Sequence, residues 1–295
     1  MEKGSLVVRK LYFVADHFAR HNAKYANGGA ELDNETFLRW AEKKGHNFTL
    51  LRSNDLHVED IDPEGSYLVA NFYEASDPVL QAIQNTDRYL IWEHDHKYCI
   101  KPDRDPSPYR DFVVPAEYLR WIPFYRGASK IFAFSNLHAD VVKRNVKAPV
   151  EPLGTCFWTD DNFKLLQQLS VRPKNNTWAI IASGHPIKNT KGSIETAQRL
   201  GLNFNLIQPA EYTNFLTELS QYMGLVFMPL HLETFSRLVA EAMMMKVKVI
   251  TDTTLLGCTS EPWYLRNSGT SLINILQEKR DKALESLLEG VIKWN

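Results

Sequence analysis

Short apolar runs, separated by helix-like stretches, mark the first half of the chain. Five runs predict strands, because apolar, β-branched and aromatic residues predominate in them: Lys10–Val14, Phe48–Arg52, Ser66–Asn71, Tyr89–His94 and Lys130–Ser135. Between the first two runs, apolar residues from Leu32 to Trp40 recur at helical spacing, and Gly45 ends the predicted helix. This alternation favours a parallel sheet with helices on both faces.

The second half repeats the pattern. Its predicted strands are Trp178–Ser183, Asn205–Gln208, Leu225–Met228 and Lys248–Thr251, and its predicted helices are Lys191–Leu200, Tyr212–Tyr222 and Phe235–Met245. The prolines and the glycine of residues 146–155 predict a linker between the two halves. A further predicted helix, Gln277–Trp294, has no strand after it.

The predicted fold class is therefore α/β, with two Rossmann-like, doubly wound domains that face a central cleft. We place an N-terminal domain at 1–150 and a C-terminal domain at 151–280. A C-terminal helix at 281–295 could return to the N-terminal domain. Ligands of such sheets bind at the carboxyl ends of the strands, so functional residues are expected in the loops that follow the strands.

Composition narrows the class of protein. With 295 residues, of which 44% are hydrophobic, the chain supports two ordinary domain cores. Its net charge of −1 argues against a general polyanion binder, and its three separated cysteines fit reduced thiols in a cytoplasmic protein. We find no signal peptide and no apolar run long enough for a membrane span. The expected location is the cytoplasm, or the host cytoplasm if the protein is viral.

Two loops have the composition of phosphate-binding segments. Gly28 and Gly29 precede a predicted helix, where the missing side chains let a ligand approach the backbone and the helix N–H groups suit an anion. A flexible turn with a helix cap is the alternative. The second loop contains His185, Lys188 and Lys191, and these lysines could neutralise a diphosphate with His185 as a further donor. A solvated loop is the alternative there, since lysines are usually exposed.

Two glutamates flank the start of the predicted helix Phe235–Met245. Glu241 lies among apolar residues of this helix, and its carboxylate could accept hydrogen bonds from the vicinal hydroxyls of a ribose. Glu233, in the preceding loop, could do the same for a sugar. The N–H groups from Thr234 to Arg237 are available to phosphate oxygens at the helix start.

The end of the predicted strand Tyr89–His94 holds several titratable residues. Alternation would place His94 and His96 on one face, with Glu93 and Asp95 on the other. Two histidines and a carboxylate could bind a metal ion, although the sequence shows no remote ligand to complete the site. The favoured interpretation is one histidine that orients a hydroxyl or transfers a proton, with a structural role for the other.

In their order along the chain, these motifs resemble those of the retaining glycosyltransferases with the GT-B fold. The resemblance is to the large family 4 group and to its compact viral or bacterial members. It rests on Gly-Gly-Ala-Glu at 28–31, the histidine strand end, the loop that ends in Lys191-Gly192, and a Glu-x7-Glu pair within Glu233-Thr-Phe and Glu241-Ala-Met. The glutamate pair is the most specific of these motifs.

The resemblance implies that 1–150 is the acceptor-side domain and that 151–280 is the nucleotide-sugar-binding domain. It also implies a role for each matching residue. His94, Glu233 and Lys191 would be catalytic, and Asp95 and His96 would lie on the acceptor side. The donor-binding residues that it implies are Gly28, Gly29, Gly184, His185, Lys188, Lys191, Thr234, Phe235, Ser236, Arg237 and Glu241. Within this set, Lys191 matches the lysine on the diphosphate, Glu233 would contact the transferred sugar and Glu241 the ribose.

Several positions depart from the family pattern. His185 stands where the family usually has arginine, and Ser236 stands where it usually has glycine. After the second glutamate, the usual small residue, glycine and proline are replaced by Met245, Lys246 and Lys248. These departures affect the expected donor geometry more than the expected fold.

The implied activity is transfer of a hexose or pentose from a nucleoside-diphosphate sugar to a hydroxyl acceptor, with retention at the anomeric carbon. The resemblance implies no tightly bound cofactor and no metal, since the helix dipole, N–H groups and basic side chains stabilise the leaving diphosphate. A sugar-nucleotide epimerase and a non-catalytic nucleotide-sugar-binding relative are the alternatives.

The acceptor is left open. Residues 97–147 contain ten Lys and Arg against five Asp and Glu, interleaved with Tyr98, Tyr109, Phe112, Tyr118, Trp121, Phe124 and Tyr125. This pattern suits a nucleic acid, including a hydroxylated base of viral DNA, and it equally suits an anionic lipid surface, a saccharide or a lipid-linked sugar. A buried aromatic core with lysine stems along it is the structural alternative.

Overall fold

The computed structural model describes residues 9–21, 28–102 and 104–294. These residues form two compact units. Unit 1 contains the described residues up to Phe134, together with His138–Leu153 and the described residues from Asp281 onward, and unit 2 contains Ser135–Leu137 and Gly154–Arg280. Each unit is built on one parallel sheet.

Unit 1 carries a six-stranded sheet in the order β2-β1-β3-β4-β5-β6. Its strands are β1 (Leu11–Ala15), β2 (Phe48–Arg52), β3 (Ser66–Val69), β4 (Tyr89–Trp92), β5 (Ile131–Ala133) and β6 (Glu151–Pro152). The helices that follow these strands are α1 (Gly29–Lys43), α2 (Asp77–Gln84), α3 (Ile122–Gly127) and α4 (Asn136–Val146). Every residue of β1, β3 and β4 is buried, as expected of central parallel strands that are covered on both faces.

Unit 2 carries a four-stranded sheet in the order β10-β9-β7-β8. Its strands are β7 (Trp178–Ile181), β8 (Phe204–Ile207), β9 (Gly224–Phe227) and β10 (Lys248–Thr251). The helices are α5 (Asp160–Ser170), α6 (Thr190–Arg199), α7 (Tyr212–Leu219), α8 (Arg237–Met244) and α9 (Gly269–Ile292). Helix α9 belongs to unit 2 up to Arg280 and to unit 1 from Asp281.

Side-chain packing and capping explain where several elements form. In unit 1, the ring of Phe37 on α1 lies 5.9 Å from that of Phe13 on β1, so α1 buries its apolar face on the sheet. In unit 2, Trp178 and Val226 on the sheet pack with Ala197 on α6. The side chain of Asn189 accepts the N–H of Gly192 and thereby caps α6.

The structure confirms all nine predicted strands to within two residues at each end. Helix α7 ends at Leu219, three residues before the predicted Tyr222, and two other elements differ further from the prediction. Residues 146–155, predicted as a linker, contain β6, which pairs with β5; proline is tolerated there because β6 is an edge strand. Helix α9 begins at Gly269, eight residues before the predicted Gln277. Its first residues, Gly-Thr-Ser, have low intrinsic helix propensity, so the sequence pattern did not predict a helix there.

Strand β4 is shorter than predicted, and a buried carboxylate explains its end. Oε1 of Glu93 accepts the backbone N–H groups of Asp95 and Lys97 at 3.2 and 3.3 Å, and these bonds close a turn after Trp92. The histidines of this segment therefore lie beyond the strand. In the part of the chain that the structure describes, no helix combines the length and the apolar character that a membrane crossing needs.

Candidate functional site

Two loops at the carboxyl ends of β7 and β9 meet through an ion pair. Nζ of Lys188, at the end of the turn Pro186–Lys188, lies 2.6 Å from Oε1 of Glu233. The Glu233 side chain is only 16% exposed, so solvent screens this pair less than a pair on the open surface. The pair places one cation and one carboxylate where ligands of parallel sheets bind.

Hydrogen bonds hold the same two loops together. The amide of Asn189 donates to the carbonyl of Met228 at 2.8 Å, and the N–H of Met228 donates to Oγ of Ser193 at 3.0 Å. The N–H of Leu230 donates to the carbonyl of Ile187 at 3.0 Å. Lys188 therefore faces Glu233 because the backbone on both sides is fixed.

The loop of Glu233 is also joined to the segment that follows β10. Glu233 donates its N–H to the carbonyl of Leu255 and accepts the N–H of Gly257 on its own carbonyl, both at 2.8 Å. Any Cβ at Gly257 would overlap the carbonyl oxygen of Thr234 and Oγ of Ser135. Glycine is therefore required at position 257 to keep this close approach of backbone to backbone.

The N-terminus of α8 offers donors to an anion. Ser236 is the N-cap residue, with φ of 77°, and its side chain makes no capping hydrogen bond. Its Oγ is buried, with the residue 6% exposed, and forms no hydrogen bond with any residue that the structure describes. Because the first N–H groups of a helix also have no intrahelical acceptor, this end of α8 has the donors and the positive dipole that bind a phosphate.

Glu241 lies one turn further into α8 and is 4% exposed. Its Oε1 accepts the indole N–H of Trp158 at 2.8 Å and the hydroxyl of Tyr212 at 2.9 Å, with Nε of Arg237 at 3.6 Å. Within the described chain no group donates to Oε2. Burial raises the pKa of Glu241, and the charge of Arg237 and the two hydrogen bonds oppose this rise.

The guanidinium of Arg237 points to the interior of unit 2. Its Nη1 donates to the carbonyl of Phe157 at 2.7 Å, and its Cζ lies 4.8 Å from the ring centroid of Trp158. Trp158 thus contacts both Arg237 and Glu241. Neither Trp158 nor Tyr212 was identified from the sequence, because no spacing relates them to the glutamate motif.

The other predicted residues of the lysine loop are exposed. Lys191 lies on α6 with its side chain 89% exposed, and its Nζ is 3.8 Å from Glu195. His185 and Gly184 are exposed, and a Cβ at Gly184 would meet nothing within 4 Å. The structure therefore brings Lys188, and not Lys191, to Glu233, and the roles of Lys191, His185 and Gly184 stay predictions.

In unit 1, the glycine pair stands at the start of α1. Gly28 is the N-cap residue, Gly29 is the first helical residue, and both are exposed. No side chain caps this helix end. A Cβ at Gly28 would meet only the end of the Glu31 side chain, at 2.8 Å, so local packing does not require glycine there.

The two histidines after β4 are both buried. Burial, and then the charges of Lys97 and His138, hold the pKa values of His94 and His96 well below their usual range. Nδ1 of His96 lies 2.9 Å from the hydroxyl of Tyr98, and its ring packs edge-on against His138 with centroids 4.9 Å apart. Both imidazoles are therefore neutral at neutral pH, the form that can orient a hydroxyl or accept a proton.

A buried ion pair supports this segment and was not identified from the sequence. Glu93 and Lys97 are fully buried, with Nζ and Oε1 2.9 Å apart, and the hydroxyl of Tyr125 donates to Oε2 of Glu93 at 2.6 Å. Asp95, predicted on the acceptor side, is partly exposed and 3.3 Å from Nη1 of Arg104. The only sequence feature that could have indicated the buried Glu93–Lys97 pair is the spacing of four positions between the two residues.

The basic and aromatic segment 97–147 is part core and part surface. Tyr98, Phe124 and Tyr125 are buried, so the predicted alternative of an aromatic core holds for them. Tyr109, Phe112, Tyr118 and Trp121 are half-buried. Among the described residues, no three His, Cys, Asp or Glu side chains gather where they could hold a metal ion.

Comparison with known proteins gives similarity at the level of structure. No protein-family model matches the chain, and no curated protein sequence matches it. The trehalose-6-phosphate synthase OtsA is similar over 97% of this chain and 97% of that chain, with 8% identity and a TM-score of 0.52.

Two further similar structures have lower TM-scores. Anabaena HepE, solved with UDP and glucose, covers 97% of this chain and 93% of its own, with 14% identity and a TM-score of 0.49. An alpha-glucosyltransferase, solved with UDP and a 13-mer DNA containing an HMU base, covers 97% and 94%, with 12% identity and a TM-score of 0.47. The likeness to OtsA, with the two parallel sheets, confirms the predicted GT-B fold.

Proposed function

We propose that this protein is a retaining glycosyltransferase that moves a sugar from a nucleoside-diphosphate sugar to a hydroxyl acceptor. One observation carries the proposal. At the carboxyl end of β9, an uncapped helix N-terminus with a buried, unbonded Ser236 hydroxyl lies between the Lys188–Glu233 pair and the buried Glu241. These groups are the ones needed to bind a diphosphate with a sugar on each side.

The leaving group of such a reaction is a nucleoside diphosphate, so negative charge grows on phosphate oxygens as the glycosidic bond breaks. Fixed donors stabilise this charge without reorganising. This charge is stabilised by the N–H groups at the start of α8, by Oγ of Ser236 and by Nζ of Lys188. Lys191 adds a second cation, as the resemblance implies. Because these groups stabilise the negative charge on the leaving diphosphate, the rate should not depend on a divalent metal.

The two glutamates bind the two hydroxylated rings. Glu233 accepts hydrogen bonds from the transferred sugar, and an ammonium group has three donors, so Lys188 can contact both the carboxylate and a phosphate oxygen. Trp158 and Tyr212 occupy Oε1 of Glu241, which leaves Oε2 as the acceptor for ribose hydroxyls. For Gly28, Gly29 and His94, we propose the roles that the resemblance implies, at the donor phosphate and the reacting sugar.

The first test is a thermal-shift screen of the full chain with UDP-, GDP-, ADP- and CDP-sugars, because a ligand that binds only the folded state raises its stability. We expect one donor class to raise Tm, and both E233Q and K188A to weaken that response. A chain whose Tm responds to none of these donors would contradict the proposal.

Product analysis separates the competing activities. Slow hydrolysis of the donor and sugar transfer to an added hydroxyl compound, with an α-linked donor giving an α-linked product, are expected of a retaining transferase. Free epimer formed in the absence of an acceptor would identify an epimerase instead. A donor that binds but is neither hydrolysed nor transferred would identify a non-catalytic binding protein.

Transfer to a hydroxylated DNA base is the second candidate, and a surface feature of unit 1 favours it. The Cζ atom of Arg120 lies 4.2 Å from the ring centroid of Tyr73 and 3.7 Å from that of Trp121, and Cζ of Arg104 lies 4.6 Å from Tyr73. Cationic groups stacked on aromatic rings suit a phosphate backbone with exposed bases.

The affinity for duplex DNA should then fall steeply as the salt concentration rises. R104A should lower the slope of log K against log[salt] by about one, because it removes one phosphate contact. The exposed Lys164, in unit 2, gives the control K164A. Binding that K164A weakens as much as R104A does would remove this candidate. Co-sedimentation with anionic liposomes in place of DNA binding would favour a lipid-linked acceptor.

A further inference from the structure

A cavity of about 460 Å³ lies in unit 2 at the amino end of β10, whereas the Lys188–Glu233 pair lies beyond the carboxyl ends of β7 and β9. Its wall includes Lys248, the first residue of β10, whereas Glu233 follows the last residue of β9. Helix α8 connects the two places, since Arg237 begins it and Met243 lines the cavity near its end. Eight residues of α-helix span roughly 12 Å, so the cavity is separate from the proposed donor site.

The cavity wall carries positive charge without compensating acids. Three of the lining residues are cationic (Lys246, Lys248 and Arg266) and none is Asp or Glu. Among the residues that the structure describes, none of these three cations forms an ion pair. Burial, followed by the charges of Lys246 and Arg172, lowers the pKa of Lys174, a cation outside the cavity wall.

The N-terminus of α9 adds to this charge. Asn267 and Ser268 line the cavity and directly precede Gly269, where the 24-residue helix begins. The first turn of α9 has no acidic residue. The stem of Lys246 lies against Gly269 so closely that any Cβ there would overlap it. A lysine beside the positive end of a long helix is an unfavourable arrangement that a bound anion would relieve.

Lys246 occupies a backbone position that usually belongs to glycine. Its N–H donates to the carbonyl of Met243 at 3.0 Å and the N–H of Val247 donates to that of Ala242 at 2.8 Å, which is the Schellman pattern at the end of α8. Lys246 accordingly has φ of 60°, a left-handed conformation that disfavours any side chain with a Cβ. A lysine at such a strained backbone position points to a use for its side chain.

Apolar surface adjoins the cations. Leu265, also in the left-handed region with φ of 62°, is 82% exposed at the rim, and Met243, Val247 and Tyr264 line the wall. An inorganic ion alone would leave this surface unused. A molecule with a phosphate group and an apolar portion matches both the charge and the wall.

We propose that this cavity binds the phosphate group of an amphipathic phosphate ester, with Lys246, Lys248, Arg266 and the N-terminus of α9 as its donors. A soluble phosphate ester and a phospholipid headgroup share this chemistry. The site is independent of the proposed transferase reaction, because none of its residues belongs to the proposed donor site.

The test uses the full chain and two probes. Phenyl phosphate, which carries a phosphate group and an apolar ring, is titrated while the backbone amide NMR signals of Asn267 and Ser268 are followed. Vesicles of phosphatidylcholine with and without phosphatidylglycerol are tested by co-sedimentation. The key variant is K246G, because glycine fits the left-handed position and should keep the fold at least as stable. R266A removes a second donor, and K164A changes the net charge equally at an exposed site on α5.

We expect saturable binding of at least one probe, weakened about tenfold by K246G and by R266A, since each removes a charge-assisted hydrogen bond. K164A and the donor-site variant K188A should bind the probe as the wild type does. Response to phenyl phosphate identifies a soluble ester, and response only to vesicles with phosphatidylglycerol identifies a lipid headgroup. Binding of neither probe, or equal binding by K246G and wild type, would overturn the proposal.

Discussion

The indole N–H of Trp158 and the carboxylate of Glu241 form a hydrogen bond of 2.8 Å, although 83 positions separate the two residues in the chain. Trp158 precedes α5, whereas Glu241 lies in α8. The hydroxyl of Tyr212 reaches the same oxygen from α7. The orientation of the proposed ribose-binding carboxylate is therefore set by two aromatic residues outside its own motif.

Removing either donor should destabilise the protein. W158F and Y212F each leave the buried Glu241 with one hydrogen bond fewer, so we expect the free energy of unfolding to fall by about 1–3 kcal/mol in each variant. Urea unfolding measures this. Tyr222 is a buried tyrosine without a side-chain hydrogen bond to a described residue, so Y222F should change stability by less than about 0.5 kcal/mol. Equal stability of W158F and Y222F would contradict the assignment.

Lys188 should matter more for donor binding than Lys191. Lys188 already lies at Glu233, whereas the side chain of Lys191 extends into solvent, so only Lys188 has its position fixed before the donor arrives. We expect K188A to raise the KM for the donor about tenfold to a hundredfold, the loss of one charge-assisted contact. K191A should lower kcat by a smaller factor.

Steady-state kinetics with the donor found by thermal shift test whether Lys188 matters more than Lys191. K164A, which removes an exposed lysine from an ion pair on α5, gives a matched control with wild-type constants expected. A K191A protein that transfers sugar at the wild-type rate would exclude the predicted role of Lys191. K188A with an unchanged KM would exclude the role of Lys188.

Two glycines of unit 2 should respond differently to alanine. At Gly257 a Cβ overlaps the backbone of Thr234, so G257A must displace the Glu233 loop; we expect a loss of about 1–3 kcal/mol in stability together with the loss of donor binding. At Gly184 a Cβ meets nothing within 4 Å, so G184A should keep its stability.

Donor affinity then tests whether Gly184 faces the ligand. If the diphosphate approaches the backbone there, G184A weakens donor binding in a thermal-shift titration while Tm without ligand stays at the wild-type value. Wild-type donor affinity in G184A would remove Gly184 from the proposed site, and wild-type stability in G257A would contradict the packing described for its loop.

The elements of the fold could be predicted because each depends on local pattern. Buried strands such as β1 and β9 are continuous apolar runs, and the structure contains both within one residue of the predicted ends. The partners of the site residues could not be predicted, because they come from long-range packing. Tyr212 lies 29 positions from Glu241, and no spacing rule connects them.

The backbone conformation of Asn189 separates the positions of Lys188 and Lys191. Asn189, between Lys188 and Lys191, adopts a left-handed φ of 49° that ends one turn and begins α6. Lys188 consequently faces Glu233 while Lys191 falls on the outer face of the helix. The sequence allows asparagine in this conformation but does not require it. Likewise Glu93 and Lys97, of residue types that are rarely buried, are buried here as an ion pair.

The buried histidines of unit 1 should make the protein sensitive to mild acid. Burial lowers the pKa of His138 to about 3, and those of His94 and His96 also lie well below 6.5. Below pH 6.5 the unfolded chain therefore binds more protons than the folded chain, so stability falls as the pH decreases, by at most about 1.4 kcal/mol per pH unit for each histidine. Carboxylates such as Glu35 and Glu211, whose pKa values are lowered, contribute to this loss of stability only below about pH 4.5. Urea unfolding between pH 7.5 and 5 should show this dependence of the free energy of unfolding on pH. H138Q should reduce its slope by the contribution of one histidine. Imidazole NMR signals of the wild type that titrate near pH 6.5 for all three histidines would contradict this prediction.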